Sequence, residues 1–344
     1  MEEKEERFTP IAKQEKKKKG CLIPLIVVSV AAILGVIVIG FLLVIGTITA
    51  VTDVEKGKPF KEELISGNSF AANKIVVVSI DGIILNKTSN GASATYITKI
   101  FDQLAKDHGV KAVILRINSP GGEVVASDII YNKILAYKKK TGNPVITCME
   151  SVAASGGFYI AMASDYIVAN RLTLTGSIGV IMQSYNYTEL LKKIGVSAET
   201  YKSAPLKDIL NGARPRTQIE RDVIQLLIDE TYGEFLKIVA TSRNMSVADL
   251  KKTTAGDSRI LSGKQAFDLK LVDQLGFFED AVSVAVKKAG LSPRSYKLVK
   301  VKKAFSFGDI FMNMNSPVKK IELNVPSQKA SVLQPGKLYF MPTM

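Results

Sequence analysis

Apolar residues first occur in this chain as one unbroken run, and only later as short alternating segments. Residues 20–52 carry no charged side chain and are rich in Ile, Val and Leu. About 20 apolar residues span a bilayer as a helix, so this run is long enough to cross. It exceeds the ~7–15-residue apolar core of a cleaved secretory leader. The pattern predicts a charged basic tail at 1–20 and a single transmembrane helix at 21–50. Lys16–Lys19 stand directly before the run, and Asp53 and Glu55 follow it. The positive-inside tendency then keeps the N-terminus cytoplasmic and sends the rest of the chain out of the cytoplasm.

Residues 51–73, with Gly57, Pro59, Gly67 and scattered charges, read as a linker. The folded body is expected at 74–305. Residues 74–80 form a strand-like run, and Asp81-Gly82 a turn signal. Ile97, Ile100, Phe101 and Leu104 recur at helical spacing. Residues 110–117 are strand-like again, Ile129, Ile130, Ile134 and Leu135 are helical, and residues 145–148 are strand-like before a loop containing Ser155. This alternation predicts an α/β body with βαβ crossovers. A longer helix is expected over 217–243, burying Ile219, Val223, Leu226, Leu227, Tyr232, Phe235 and Leu236. Ser246-Val-Ala-Asp249 has capping-box spacing, with Asp in place of Glu. Short and long helices are expected to start at Ser262 and Glu279. Residues 306–344 lack clear periodicity and read as a C-terminal tail, partly disordered.

The formal net charge is +14, most of it on the body. Such a surface favours anionic lipid headgroups. No aromatic–basic or zinc-finger motif accompanies it, so nucleic acid is not an expected partner. The two cysteines, Cys21 and Cys148, form neither a metal constellation nor a plausible disulfide. Cys148 reads as a small buried hydrophobe. Neither a metal nor an organic cofactor is called for.

Two glycine-rich strand ends carry the candidate chemistry. Asn118-Ser-Pro-Gly121-Gly122-Glu follows a strand and precedes a helix. Without a Cβ in the way, its backbone N–H groups can approach a ligand and hold a developing oxyanion. It lacks the spacing and the Lys of a phosphate-binding P-loop. Ala153-Ala-Ser155-Gly156-Gly follows another strand, and would offer Ser155 as nucleophile and the Gly156 N–H as a second donor. It is not the Gly-x-Ser-x-Gly elbow of α/β-hydrolases. His108, the one histidine, sits at a polar helix end, unsuited to be the base. The base is therefore sought among Lys, Asp and Glu; for a lysine, a neutral amine requires a setting that depresses a reference pKa near 10.4 by ~3–5 units. Lys202 and Lys207 both have apolar neighbours, and spacing does not choose between them.

Taken in order, five blocks closely resemble the signal peptide peptidase A family of bacterial Ser–Lys membrane proteases. They are Asn118-Ser-Pro-Gly-Gly, Ala153-Ala-Ser155-Gly-Gly-Phe-Tyr-Ile, Leu174-Thr-Gly-Ser177-Ile-Gly-Val, Lys207-Asp-Ile, and the stretch from Asp257 to Gly276. The resemblance covers roughly residues 74–290 and is closest to the short, single-domain form. It implies a Clp-protease/crotonase-like α/β fold behind an N-terminal transmembrane helix, seated in the bacterial inner membrane with its catalytic domain outside the cytoplasm. It implies Ser155 as nucleophile, Lys207 as general base with Lys202 a decoy, and Ser177 as a hydroxyl that orients the lysine. Gly122 and Gly156 take the oxyanion positions. It further implies signal-peptide remnants and unfolded segments as substrates. It also implies a homo-oligomeric ring in which Ser and Lys meet across a protomer boundary. The run Ser203-Ala-Pro-Leu before Lys207 departs from the Gly–aromatic sequence usual in the family. The rival readings are a crotonase-like acyl-CoA enzyme and an inactive membrane scaffold on the same fold.

Overall fold

The structure is a computed structural model that describes residues 33–42, 60–88, 92–303 and 337–340. The chain divides into two units, Met1–Lys58 and Pro59–Met344. In the first, residues 33–42 form a helix (α1) whose side chains are all exposed. No helix among the described residues is long and apolar enough to cross a membrane. The rest of the span expected at 21–50, the basic tail at 1–20 and Cys21 lie outside the described residues.

The second unit is built as the alternating pattern predicts. It opens with strands β1 (Phe60–Gly67), β2 (Asn73–Asp81), β3 (Ile84–Leu85) and β4 (Ala92–Ser93). Helix α2 (Ala94–Leu104), strands β5 (Val110–Ser119) and β6 (Gly122–Glu123), and helix α3 (Val124–Thr141) follow. Next come β7 (Val145–Ala154), α4 (Gly156–Ala161), β8 (Tyr166–Ala169), β9 (Leu174–Gly176) and α5 (Thr188–Lys193). The last third holds α6 (Gln218–Ser242), α7 (Val247–Lys252), β10 (Ile260–Ser262), α8 (Gly263–Asp268), β11 (Gln274–Leu275), α9 (Phe278–Lys288), β12 (Tyr296–Lys303) and β13 (Tyr339–Phe340).

The main sheet runs β1-β12-β2-β5-β7-β8-β11, and its central pairs are parallel. Both of its faces are covered, which is why β2 and β5 read as unbroken apolar runs. Val76, Val78 and Ile80 of β2 face a core shared with α2, α3, α4 and α6. Ile75 and Val77 face a smaller core capped by Ala281 and Ala285 of α9. Truncating a fully buried Ile such as Ile114 to Ala in such a core costs about 2–5 kcal/mol. This parallel-rich α/β architecture agrees with the expected Clp-protease/crotonase-like class.

Strand β7 serves two partners. Residues 146–149 pair with β8, whereas Val152–Ala154 pair with β9. The split carries the end of β7 past β8 to a pairing with β9, and Ser155 follows directly. A second, four-stranded sheet, β13-β6-β3-β4, flanks the same region.

The structure differs from the sequence pattern at three places. Phe60–Gly67, within the expected linker, is strand β1, antiparallel to β12. In α6 the expected buried stripe divides. Phe235 and Leu236 are buried, but Ile219 and Leu226 are 65% and 67% exposed, and Val223 and Leu227 also face solvent. Only the C-terminal half of α6 packs on the body, so periodicity located the helix but not the extent of its cover. Within the expected tail, residues 337–340 are described, and Tyr339 and Phe340 are 1% exposed. The remainder of 304–344 lies outside the described residues.

Candidate active site

Ser155 stands between the end of β7 and the first residue of α4, at φ +51°. A positive φ is uncommon for a residue with a side chain and marks a backbone held under strain by its surroundings. Its backbone N–H donates to the Gly176 carbonyl at 2.8 Å. Ala154 and Gly176 are register partners, so Ser155 and Ser177 leave their strands side by side, and Ser177 repeats φ +51°. Ser155 is fully buried, and its Oγ has no hydrogen-bond partner among the described residues. A buried hydroxyl left unpaired costs free energy. Its retention points to a partner that arrives from elsewhere.

The two expected oxyanion donors converge beside it. A Cβ on Gly156 would lie 3.2 Å from the Gly122 nitrogen and 2.6 Å from Ser127 Oγ. A Cβ on Gly121, at φ +110°, would lie 2.8 Å from the Gly156 nitrogen. Only glycines allow these backbones to approach so closely. As first residue of α4, Gly156 has no acceptor for its N–H within the helix. The backbone nitrogens of Gly122 in β6 and Gly156 in α4 thus lie close together next to Ser155.

Residues 337–340 occupy the groove next to this pair. Phe340 and Tyr339 pair antiparallel with Gly122 and Glu123, while Tyr339 exchanges two 3.0 Å backbone bonds with Ile181 on its other side. A Cβ on Gly121 would lie 1.9 Å from the Phe340 carbonyl oxygen. The Phe340 ring stacks on Tyr159 at 4.9 Å and meets Phe235 at 4.7 Å. The Tyr159 hydroxyl donates to Asp128 at 2.7 Å, and burial together with that carboxylate drives its pKa up. An extended segment that buries two aromatic side chains, Tyr339 and Phe340, therefore fits this groove. Nothing in the tail's periodicity signalled it, because a two-residue strand has no pattern of its own.

The lysines separate clearly. Lys202 Nζ is bound to Asp208 at 2.6 Å and donates to the Pro205 carbonyl at 2.9 Å. Lys207 is exposed, and its amine makes no ion pair or hydrogen bond among the described residues. Lys202 is thus held as a charged partner of Asp208, and Lys207 stays unengaged. Since Ser155 Oγ has no partner, the single chain does not bring Lys207 into contact with it. The structure therefore gathers Ser155, Ser177, Gly122 and Gly156, and leaves Lys207 apart.

Sequence reasoning missed the network beneath Lys207. Arg214 Nε donates to Asp208 at 2.9 Å and its Nη1 to Glu220 at 3.0 Å, with Nη2 bridging both carboxylates. Glu220 is 1% exposed and also accepts from the Thr217 backbone N–H at 2.8 Å. The hydrogen bonds from Arg214, then the Thr217 backbone, lower its carboxyl from 4.5 to about 2. Thr217-Gln-Ile-Glu220 is a capping-box sequence, and that was the one sign of the network in the chain.

Elsewhere, burial first, and then Glu150, pushes the Cys148 thiol up to about 12, in keeping with a buried apolar role. His108 is an exposed residue of the turn after α2. No group of His, Cys, Asp and Glu suited to a metal occurs among the described residues.

Comparison with known proteins agrees with this geometry. Residues 137–292 match the model of peptidase family S49. A protein of Enterococcus faecium provisionally named signal peptide peptidase SppA is 36% identical over 72% of this chain and 72% of its own length. A provisionally named protease of Synechocystis sp. is 45% identical over 54% of this chain and 66% of its own. Protease 4 of Haemophilus influenzae is 38% identical over 62% of this chain, but that stretch is only 34% of its length. On these relatives and this family match, the chain belongs to the SppA-type serine peptidases of family S49.

Proposed function

We propose that this peptidase is a membrane-anchored serine endopeptidase that cleaves extended apolar peptides through a Ser155–Lys207 dyad. Ser155 Oγ attacks the peptide carbonyl while Lys207 takes its proton. Lys207 then returns that proton to the leaving amine and activates water to release the acyl group. The Gly122 and Gly156 amides stabilise the oxyanion, and the hydroxyl of Ser177 orients the amine. Signal-peptide remnants and unfolded segments fit as substrates, since both present apolar side chains on an extended backbone. The uncharged run at 20–52 supports anchoring in the bacterial inner membrane, with the catalytic unit outside the cytoplasm.

The observation that carries the reading is the segment at 337–340. An extended stretch of the chain pairs with the Gly122 strand and buries an aromatic ring beside the nucleophile. A substrate strand would add in the same way, taking affinity from main-chain bonds and selectivity from alternate side chains. Lys207 is exposed in the single chain, which supports a second copy in a homo-oligomeric ring as the source of its shelter. A fluorophosphonate should label wild type and not Ser155→Ala, and Ser155→Ala should lack peptide hydrolysis. Hydrolysis undiminished in folded Ser155→Ala would sink the mechanism.

A further inference from the structure

We propose that Arg214, fixed between Asp208 and Glu220, is a positioning residue that sets where Lys207 is presented. The inference rests on Lys207 being the general base. Residues 203–210 are bends and turns, held only by single turn bonds such as that from the Lys207 N–H to the Ala204 carbonyl at 3.2 Å. Side-chain bonds tie this segment to regular structure. Asp208, next to Lys207, accepts from Arg214 Nε at 2.9 Å, Arg214 Nη2 at 2.7 Å and Lys202 Nζ at 2.6 Å. These bonds turn Asp208 inward to 12% exposure. The adjoining Lys207 stays exposed with its amine unengaged.

The other end of the fork is anchored in regular structure. Glu220 is the third residue of α6 and is locked by the reciprocal Thr217 cap. Arg214 presents a planar set of donors that grips two carboxylates at once, which a lysine ammonium cannot reproduce. The path runs from the first turn of α6 through Glu220, Arg214 and Asp208 to the backbone of Lys207. Lys202 and Asn211 brace the same carboxylate at 2.6 and 3.5 Å. A base that must reach a hydroxyl buried in a strained turn tolerates little displacement. An error of about 1 Å can cost ~100-fold in rate.

The test uses the full-length protein in detergent with an unfolded apolar peptide as substrate. The kcat is expressed per Ser155 titrated by a fluorophosphonate, so misfolded molecules do not count. Arg214→Met should lower kcat per titrated site by about ten-fold or more, with KM within about two-fold of wild type. Arg214→Lys should recover part of that loss. Glu220→Gln, which keeps the volume but weakens the anchor, should fall between wild type and Arg214→Met. A kcat per site within about two-fold of wild type in Arg214→Met, or a loss carried by KM alone, overturns the proposal. If Arg214→Met does not fold, Glu220→Gln decides by the same criterion. Lys207→Ala is measured alongside. Full activity there overturns the base assignment itself, whatever Arg214 does.

Discussion

At the scale of single residues, three glycines and one strained serine crowd together at the candidate site. Gly156 meets Ser127 Oγ on one side and the Gly122 nitrogen on the other, so a methyl group has nowhere to go. Gly156→Ala should displace one oxyanion donor and lower kcat by ~10²–10³-fold, while Ser155 remains open to a fluorophosphonate. Steady-state rates beside probe labelling check this, and an unchanged kcat would remove Gly156 from the mechanism. The two lysines give a sharper contrast. Lys202 is one of several braces on Asp208, so Lys202→Ala should lower kcat less than Arg214→Met, whereas Lys207→Ala should abolish activity. Ser155, Gly122 and Gly156 stood out in the chain because two glycine-rich strand ends occur in one body, and the fold sets those two ends side by side. Arg214 was not, because the residues that it grips lie in an irregular segment without a period to betray them.

At the scale of elements, the alternating pattern placed β2, α2, β5, α3 and β7 correctly because each buries a whole face in the body. It erred where cover is partial. Helix α6 has the right period throughout, yet only its second half meets Tyr159 and Phe340. Strand β1, with seven exposed residues of its eight, has no apolar face to read. Its place comes from pairing with β12, far along the chain. The first turn of α6 carries a pH signature of its own. The Glu220 carboxyl is lowered in the fold, so its contribution to stability is complete above about pH 4.5 and is lost as pH falls toward 2. Melting temperatures should drop over that window in wild type and less steeply in Glu220→Gln, whose side chain does not titrate. Strand β13 leads to a functional expectation. If it holds the place of a substrate strand, deleting residues 337–344 should lower KM for peptides without lowering kcat. A rise in KM would instead make it part of the binding surface.

At the scale of the whole molecule, the proposed nucleophile and the proposed base do not meet within the described single chain. Ser155 is enclosed and unpartnered, and Lys207 is exposed. Close to Lys207 in the chain, Tyr201 and Leu206 are exposed, as are Ile219 and Leu226 on α6. Burying Lys207 and these apolar neighbours in sequence against a second copy would dry the amine. The consequence is quantitative. In a closed ring each site would take Ser155 from one protomer and Lys207 from its neighbour. Ser155→Ala and Lys207→Ala proteins would each be inactive alone. Co-expressed in equal amounts and mixing at random, they would pair an intact Ser155 with an intact Lys207 at about a quarter of the sites. Peptide hydrolysis near a quarter of the wild-type rate is therefore expected from the mixture. A dyad formed within one chain predicts none at any ratio, because each copy would lack one of its two members. The mixture's rate thus separates the two arrangements without any knowledge of the ring's size.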